Sequence, residues 1–282
     1  ANIMTSAIEE EEGTDEEKWV LIISINPGAP NGGSGTQYFI GDFDGQKFTS
    51  DQKEPKWLDY GTDNYAGITY NNTPNDERIF IGWMSNWDYA RNTPTQKWRS
   101  AMTVPRELSL KKMGDDIVLT NYPLKQLEVL TSHVLAENVQ MGSGASDTLV
   151  VDGLNQSQIE LETASKNFTL IFKNDLDETL VLAMDGKNNT FIVDRTKSGS
   201  VDFQSEFGNK KHFMPMGMLN DGTNRVKILL DWSSIEVFMN EGVYAMTEQL
   251  FPTEPYNTLI VQNGSGESEI RLESIKHMES VW

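Results

Sequence analysis

The chain reads as all-β. Apolar runs of strand length recur along it, turn dipeptides separate them, and no long amphipathic helical pattern interrupts the series. Residues 19–25 (WVLIISI) form a nearly continuous apolar run, as expected of a strand buried on both faces. Asn26-Pro27-Gly28 and Asn31-Gly32-Gly33 break that run and mark a loop. Residues 37–43 (QYFIGDF) make the next strand, closed by the tight-turn dipeptide Asp44-Gly45. Residues 57–60, 65–70, 78–84 and 101–110 continue the series. Short strands at this spacing suggest a propeller, a sandwich or a barrel.

Residues 111–136 read as a linker. Leu124, Leu127 and Leu130 recur every third position there, which suits a short helix or an extended strap. A Gly/Ser/Ala patch at 142–146 then opens a second strand-rich region. Its apolar or alternating runs lie at 168–172, 180–183, 190–193, 226–230 and 234–238. Turns at Asp185-Gly186, Asp221-Gly222 and Glu241-Gly242 fall between them, so this region reads as a β-sandwich.

Composition narrows the function classes. The 282 residues are enough for one large or two ordinary domains, and 38% hydrophobic residues with 10% aromatics can supply packed cores. Acidic residues outnumber basic ones 42 to 23, for a formal charge of −19. Such a chain repels nucleic acid and anionic membranes, and neutral hydroxyl-rich ligands suit it better. No apolar run is long enough to span a bilayer. The absence of cysteine excludes disulfides and thiolate metal sites. The three histidines, His133, His212 and His277, are far apart in sequence, so neither a histidine metal cluster nor a Ser-His-Asp triad is expected. The start carries no signal-peptide pattern and an acidic run at 9–12, which reads as a solvated segment after a mature, processed or truncated terminus.

The densest chemical signal lies at residues 79–87 (IFIGWMSNW) and 98–108 (WRSAMTVPREL). Three tryptophans, an amide and two arginines there suit a sugar ring, which has an apolar face and a rim of hydroxyls. These segments, with 18–28 (KWVLIISINPG), 32–45 (GGSGTQYFIGDFDG), 57–66 (WLDYGTDNYA) and 95–108 (TQKWRSAMTVPREL), resemble glycoside hydrolase family 32, the invertases, exo-inulinases and levanases. In the second region, 193–199 (VDRTKSG) and 230–238 (LDWSSIEVF) resemble the same family.

The resemblance implies a partial five-bladed β-propeller, about its last two blades, followed by a C-terminal β-sandwich. The expected layout is an acidic segment at 1–17, the partial propeller at 18–110, the linker at 111–136 and the sandwich at 137–282. Residues 19–60 would form the fourth blade without its innermost strand. Residues 65–110 would form the fifth, without the closing strand that the family takes from its N-terminal segment. Unpaired strands of this kind call for a partner, either the missing propeller half or a second copy. The family hydrolyses terminal β-D-fructofuranosyl residues of sucrose, inulin or levan, needs no cofactor or metal, and implies a secreted or periplasmic setting.

The family's chemistry is retaining hydrolysis by two carboxylates roughly 5–5.5 Å apart. Its nucleophile lies in an Asn-Asp-Pro-Asn motif, a stabilising aspartate in Arg-Asp-Pro, and its acid/base in Glu-Cys-Pro or Glu-Val-Pro. None of these occurs here. Asn75-Asp76 precedes Glu77, Asp194-Arg195 has the reverse order, and Glu54-Pro55 and Glu254-Pro255 lack the middle residue. The acid/base place just before Lys18 holds the glutamates at 9–12 with no proline. No catalytic residue is therefore assigned.

The resemblance implies substrate contacts from Asp63, Tyr65, Asn86, Trp87 and Trp83. Tyr65 would offer its hydroxyl to a sugar or be an inward packing residue. Trp87 would stack at the funnel rim, and Trp83, deeper in its strand, reads more simply as core. Asn26 and Gln37 read more simply as loop residues. Arg99, Arg106 and Glu107 read as structural, Asp194 with Arg195 as a surface pair, and Asp231, Trp232, Ser233 and Glu236 as a turn and strand. Three accounts stay open: the C-terminal piece of a β-fructosidase, inactive alone; a non-catalytic fructan-binding remnant or module; and an unrelated β-rich binding protein.

Overall fold

The computed structural model describes residues 2–9, 17–217 and 222–281, and among them the regular secondary structure is almost entirely strand. The first ten strands are β1 (Asn2–Glu9), β2 (Glu17–Ile25), β3 (Gly35–Phe43), β4 (Phe48–Thr49), β5 (Lys56–Trp57), β6 (Tyr65–Thr69), β7 (Ile79–Met84), β8 (Ala101–Met102), β9 (Arg106–Met113) and β10 (Asp116–Pro123). They join into one open sheet in the order β4-β3-β2-β1-β9-β7-β6, with β5 on β3, β8 on β7 and β10 on β9.

The run 19–25 does form a strand, but it is not buried on both faces. Val20 and Ile22 are sealed while their neighbours are only partly covered. One face meets the core and the other is half-shielded, the usual state of an antiparallel sheet. The edge of β2 that the resemblance leaves open is occupied. β1 pairs antiparallel with β2, from Asn2↔Ile22 to Ala7↔Glu17. Its far end then meets β9 in parallel, through Ile8↔Leu110 and Glu9↔Lys111. So the reading of 1–17 as an acidic solvated segment misses a strand. Met4 and Ile8 drive it, because both enter the core with Val20, Ile22, Phe80, Leu108 and Leu110.

The reading of 111–136 as a linker also needs correction. β9 runs to Met113 and turns directly into β10, which pairs with it from Asp116↔Met113 to Pro123↔Arg106. Only then comes the short helix, a 3-10 segment at Lys125–Leu130. The next residues already belong to the sandwich.

The sandwich has two six-stranded antiparallel sheets. Its strands are β11 (Thr131–Met141), β12 (Ser146–Val150), β13 (Ser157–Thr163), β14 (Asn167–Lys173), β15 (Thr179–Asp185), β16 (Thr190–Lys197), β17 (His212–Pro215), β18 (Asn224–Asp231), β19 (Ser234–Met239), β20 (Tyr244–Gln249), β21 (Thr258–Asn263) and β22 (Ile270–Met278). One sheet runs β11-β22-β13-β18-β19-β20 and the other β12-β21-β14-β15-β16-β17. Alternation decides the inner faces. In β14, Phe168, Leu170 and Phe172 point inward, and in β15 Leu180, Leu182 and Met184 do. They meet Ile228, Ile235, Val237 and Ile275 from the facing sheet in one continuous core. Of the turn Asp221-Gly222, Asp221 lies outside the described residues.

The two regions are sewn together along β20, whose six residues are all buried. Tyr60 N–H donates to Ala245 O at 2.8 Å, and Asp63 N–H to Thr247 O at 3.1 Å. The segment between β5 and β6 thus covers a sandwich edge that would otherwise expose unpaired carbonyls.

Candidate functional site

Two arrangements are built where these regions meet, an open aromatic face and a buried charged seam. The aromatic face comes from β6, β7 and the loop after β7. Tyr65 sits opposite Trp83 in the β6–β7 ladder. Their rings meet edge-on with centroids 6.2 Å apart, and Trp83 in turn meets Trp87 at 5.1 Å. Trp87 is 45% exposed, and Arg91 lies 5.7 Å from its ring centre. Three half-open rings in a row, with one guanidinium at the end, offer flat apolar area beside a polar donor.

The loop that carries Trp87 is held by Asn86. Its Nδ2 donates to Thr62 O at 2.8 Å and to Gly32 O at 3.2 Å, while its Oδ1 accepts from Ser34 N at 3.2 Å and Asp88 N at 3.1 Å. Gly33 makes the approach possible. It has φ +64°, and a Cβ there would lie 2.0 Å from Asn86 Oδ1. Ser34 Oγ accepts from Trp87 N–H at 3.3 Å. Asn31 anchors the neighbouring 26–34 loop, which carries Gly33 and Ser34, to β17, bonding Phe213 through both backbone groups at 2.9 and 3.0 Å.

The charged seam has two centres. Arg106 donates to Asp59 Oδ2 at 2.8 Å, Glu236 Oε2 at 2.6 Å, Asn121 Oδ1 at 2.7 Å and Thr247 Oγ1 at 2.6 Å. Arg195 donates to Asp63 Oδ2 at 2.8 Å and Gln249 O at 3.0 Å, and to Tyr89 Oη at 2.9 Å. It also pairs with Glu248 Oε2 at 2.9 Å, while His212 Nδ1 lies 2.8 Å from Glu248 Oε1. Both guanidiniums have no exposed surface. Burial pushes the Asp63 and Glu236 carboxyls up, against the pull of Arg195 and Arg106 respectively. Burial acts on Glu248 too, but the charges of His212 and Arg195 outweigh it and hold that carboxyl below its usual value.

The five residues expected at a substrate wall therefore divide. Tyr65, Trp83 and Trp87 come together as the aromatic face. Asp63 and Asn86 do not join it. Asp63 is wholly buried, with its oxygens taken by Arg195, Gln249 N–H, Thr62 and the Tyr89 hydroxyl. Asn86 is 1% exposed and fully engaged. Neither has a free polar atom for a ligand. Asp194 and Arg195 are not a surface pair either, since Arg195 is the hub of the seam and Asp194 points away to Lys211 and Thr196. Glu236 is likewise more than part of a strand. Arg106 is structural as expected, whereas Arg99 and Glu107 are exposed.

Some of this was recoverable from alternation. Arg195 follows Phe191 and Val193 at every second position, and Arg106 precedes Leu108 and Leu110 in the same way. No such signal marks Tyr89, Asn31 or Glu248, whose partners lie far away in sequence. The glutamates considered for the acid/base role fall at the end of β1, where the side chain of Glu9 and residues 10–12 lie outside the described residues. Among the described residues, no group of three or more His, Asp or Glu side chains is placed to hold a metal ion.

An aromatic face on an open sheet, braced by a sandwich, defines a two-part all-β architecture. Family models place it. Residues 5–123 match the glycosyl hydrolases family 32 N-terminal domain, and residues 125–279 match the family's C-terminal domain. The chain belongs to glycosyl hydrolase family 32. It is 31% identical to a levanase of Bacillus subtilis (strain 168) over 278 residues, covering 95% of this chain and 41% of that protein. It is 33% identical to an extracellular exo-inulinase of Aspergillus niger over 296 residues, covering 96% and 53%. The crystal structure of exo-inulinase from Aspergillus awamori superposes with a TM-score of 0.87 at 28% identity, covering 99% of this chain and 56% of that one. The chain thus spans about half the length of these relatives, and its fold is part of a β-propeller followed by a β-sandwich.

Proposed function

We infer that this chain is the C-terminal portion of a β-fructofuranosidase-like hydrolase, that it supplies one wall of the fructoside site, and that it does not hydrolyse by itself. The observation that carries the reading is the Tyr65–Trp83–Trp87 face, which presents three contacting rings with Arg91 beside them. The relatives' names, levanase and exo-inulinase, point to fructans as the sugar and to an extracellular setting. The three carboxylate motifs of the family are missing from this sequence, and retaining hydrolysis needs both an acid/base and a nucleophile. The open edges of β6 and β4 suit the rest of a propeller as partner.

The test is fructose release from sucrose, inulin and levan by the purified 282-residue chain. No release above buffer is expected, and release that tracks the protein through purification would overturn the claim of inactivity. The aromatic face favours a binding role even without catalysis. Titration calorimetry with inulin-type oligosaccharides should show saturable binding that Trp87→Ala removes. A flat titration of the unaltered chain would dismiss that role.

A further inference from the structure

Two of the three histidines, remote in sequence, meet on the sandwich. His133 on β11 and His277 on β22 have ring centroids 5.0 Å apart, tilted by 31°. The two strands are antiparallel neighbours, and a register shift between Thr131 and Val134 sets His133 in a bulge at this point. His133 is exposed and His277 half-buried, and neither belongs to the aromatic face or to the seam.

Their separation fits a shared cation. A ligating imidazole nitrogen sits about 2.0–2.1 Å from zinc, and the ring centre lies about 1.1 Å behind that nitrogen. Each centroid is then about 3.2 Å from the metal, and at a tetrahedral angle two such centroids stand about 5.2 Å apart. The observed 5.0 Å matches this separation closely. A second feature orients one ring. Ser132 Oγ lies 3.0 Å from His133 Nδ1. A hydroxyl accepting from Nδ1–H holds the tautomer whose Nε2 keeps its lone pair, the way an outer hydrogen bond commonly prepares a metal-binding imidazole. Against His277, the turn at Gly153 approaches on the Nδ1 side, where a Cβ would sit 3.4 Å from that nitrogen. The chain's charge of −19 raises the local concentration of cations in general.

We propose that His133 and His277 form a two-imidazole site for a borderline divalent cation of the Zn²⁺, Ni²⁺ or Cu²⁺ class. Water fills its remaining positions, and the ion clips β11 to β22. Nitrogen donors select these ions over hard cations such as Mg²⁺ and Ca²⁺, which prefer oxygen. The site ties down the first strand of the sandwich, directly after the 3-10 segment that leads out of the propeller sheet.

The experiment is calorimetric titration of the metal-free full chain with zinc chloride, and with magnesium chloride in parallel. One saturable zinc site and no magnesium heat are expected. His133→Ala and His277→Ala should each abolish the zinc signal, and Ser132→Ala should weaken it roughly tenfold or more. Thermal unfolding without zinc should change little for His133→Ala and Ser132→Ala, whose side chains are exposed, and modestly for the half-buried His277→Ala, while zinc should raise the midpoint of the unaltered chain alone among the unaltered and histidine-substituted proteins. Absence of saturable zinc binding, or binding that survives either histidine substitution, would overturn the proposal and leave the two rings as a simple stacked pair.

Discussion

The sandwich and the partial propeller bury their apolar residues in opposite ways. The sandwich closes on itself, with two sheets meeting through one core that includes Phe172, Phe191, Ile228, Ile235 and Ile275. The propeller sheet has a smaller core around Val20, Ile22, Phe80 and Leu110, and it is open. Its edge strand β6 leaves Ile68 57% exposed, with Tyr70 just beyond it at 48%. What holds it is the sandwich, through β20 and two sealed arginines. The lesson is that a sheet without enough apolar partners can lean on a self-sufficient neighbour by way of polar groups, provided every charge is matched.

The strongest way to break that contrast is Arg195→Ala. It leaves Asp63 buried without its cation and Glu248 with His212 alone, so we expect a loss of about 3–5 kcal/mol in urea unfolding. The loss should fall on the contact between regions, so hydrogen exchange should rise first in β6 and β7. Phe80→Ala comes next. A cavity at this wholly buried ring should cost about 3 kcal/mol or more. If the sandwich is self-sufficient, exchange protection in β14 and β15 should survive that substitution, and its loss there would show one cooperative unit instead.

Gly33→Ala should act more mildly, by roughly 1–2 kcal/mol for the left-handed backbone alone. Because the added methyl collides with Asn86, oligosaccharide affinity should drop along with stability. Acid should then separate the regions. Hydrogen bonds to Thr253 and Asn174 outweigh burial to hold Glu178 below the usual carboxylate range; likewise Thr196 and Lys211 hold Asp194, and Asn167 with the Lys166 amide holds Glu267. For such groups the unfolded chain takes up protons first. Their contribution is full above the unfolded values near pH 4 and is lost as pH falls through the lower folded values. Asp63 and Glu236, raised by burial, act with the opposite sign. Sandwich exchange should therefore accelerate below about pH 4, whereas the seam, where the lowered Glu248 opposes the raised Asp63 and Glu236, should respond less. Trp87→Ala should be the gentlest change, within about 0.5 kcal/mol of the unaltered stability, and yet it should remove sugar binding.

Much of the architecture was legible along the chain, and the reasons differ by element. Alternation in 168–172 and 180–183 marked sandwich strands because the two faces of each strand meet different surroundings. The run 19–25 was legible as a strand but not as a half-covered one, since burial on the second face depends on neighbours that periodicity does not name. β1 was hidden by its acidic surroundings, which outweighed Met4 and Ile8 in any reading by composition. β10 did carry a local signal, the Gly114-Asp115 dipeptide that turns β9 into β10 with Gly114 at φ +63°, but the mostly polar residues 111–116 around it read as a strap.

At the candidate site the division is sharper. Local sequence determined the all-β class, the cluster of tryptophans on β7 and its loop, and the missing carboxylate motifs, because strand period and residue type act over a few neighbouring positions. Only tertiary structure decided that Asp63 and Asn86 are buried braces, that Arg195 is a hub rather than a surface charge, and that His133 meets His277. Each of those outcomes depends on pairing across more than fifty residues, where no local preference can choose the partner and burial alone sets which polar groups must find one another.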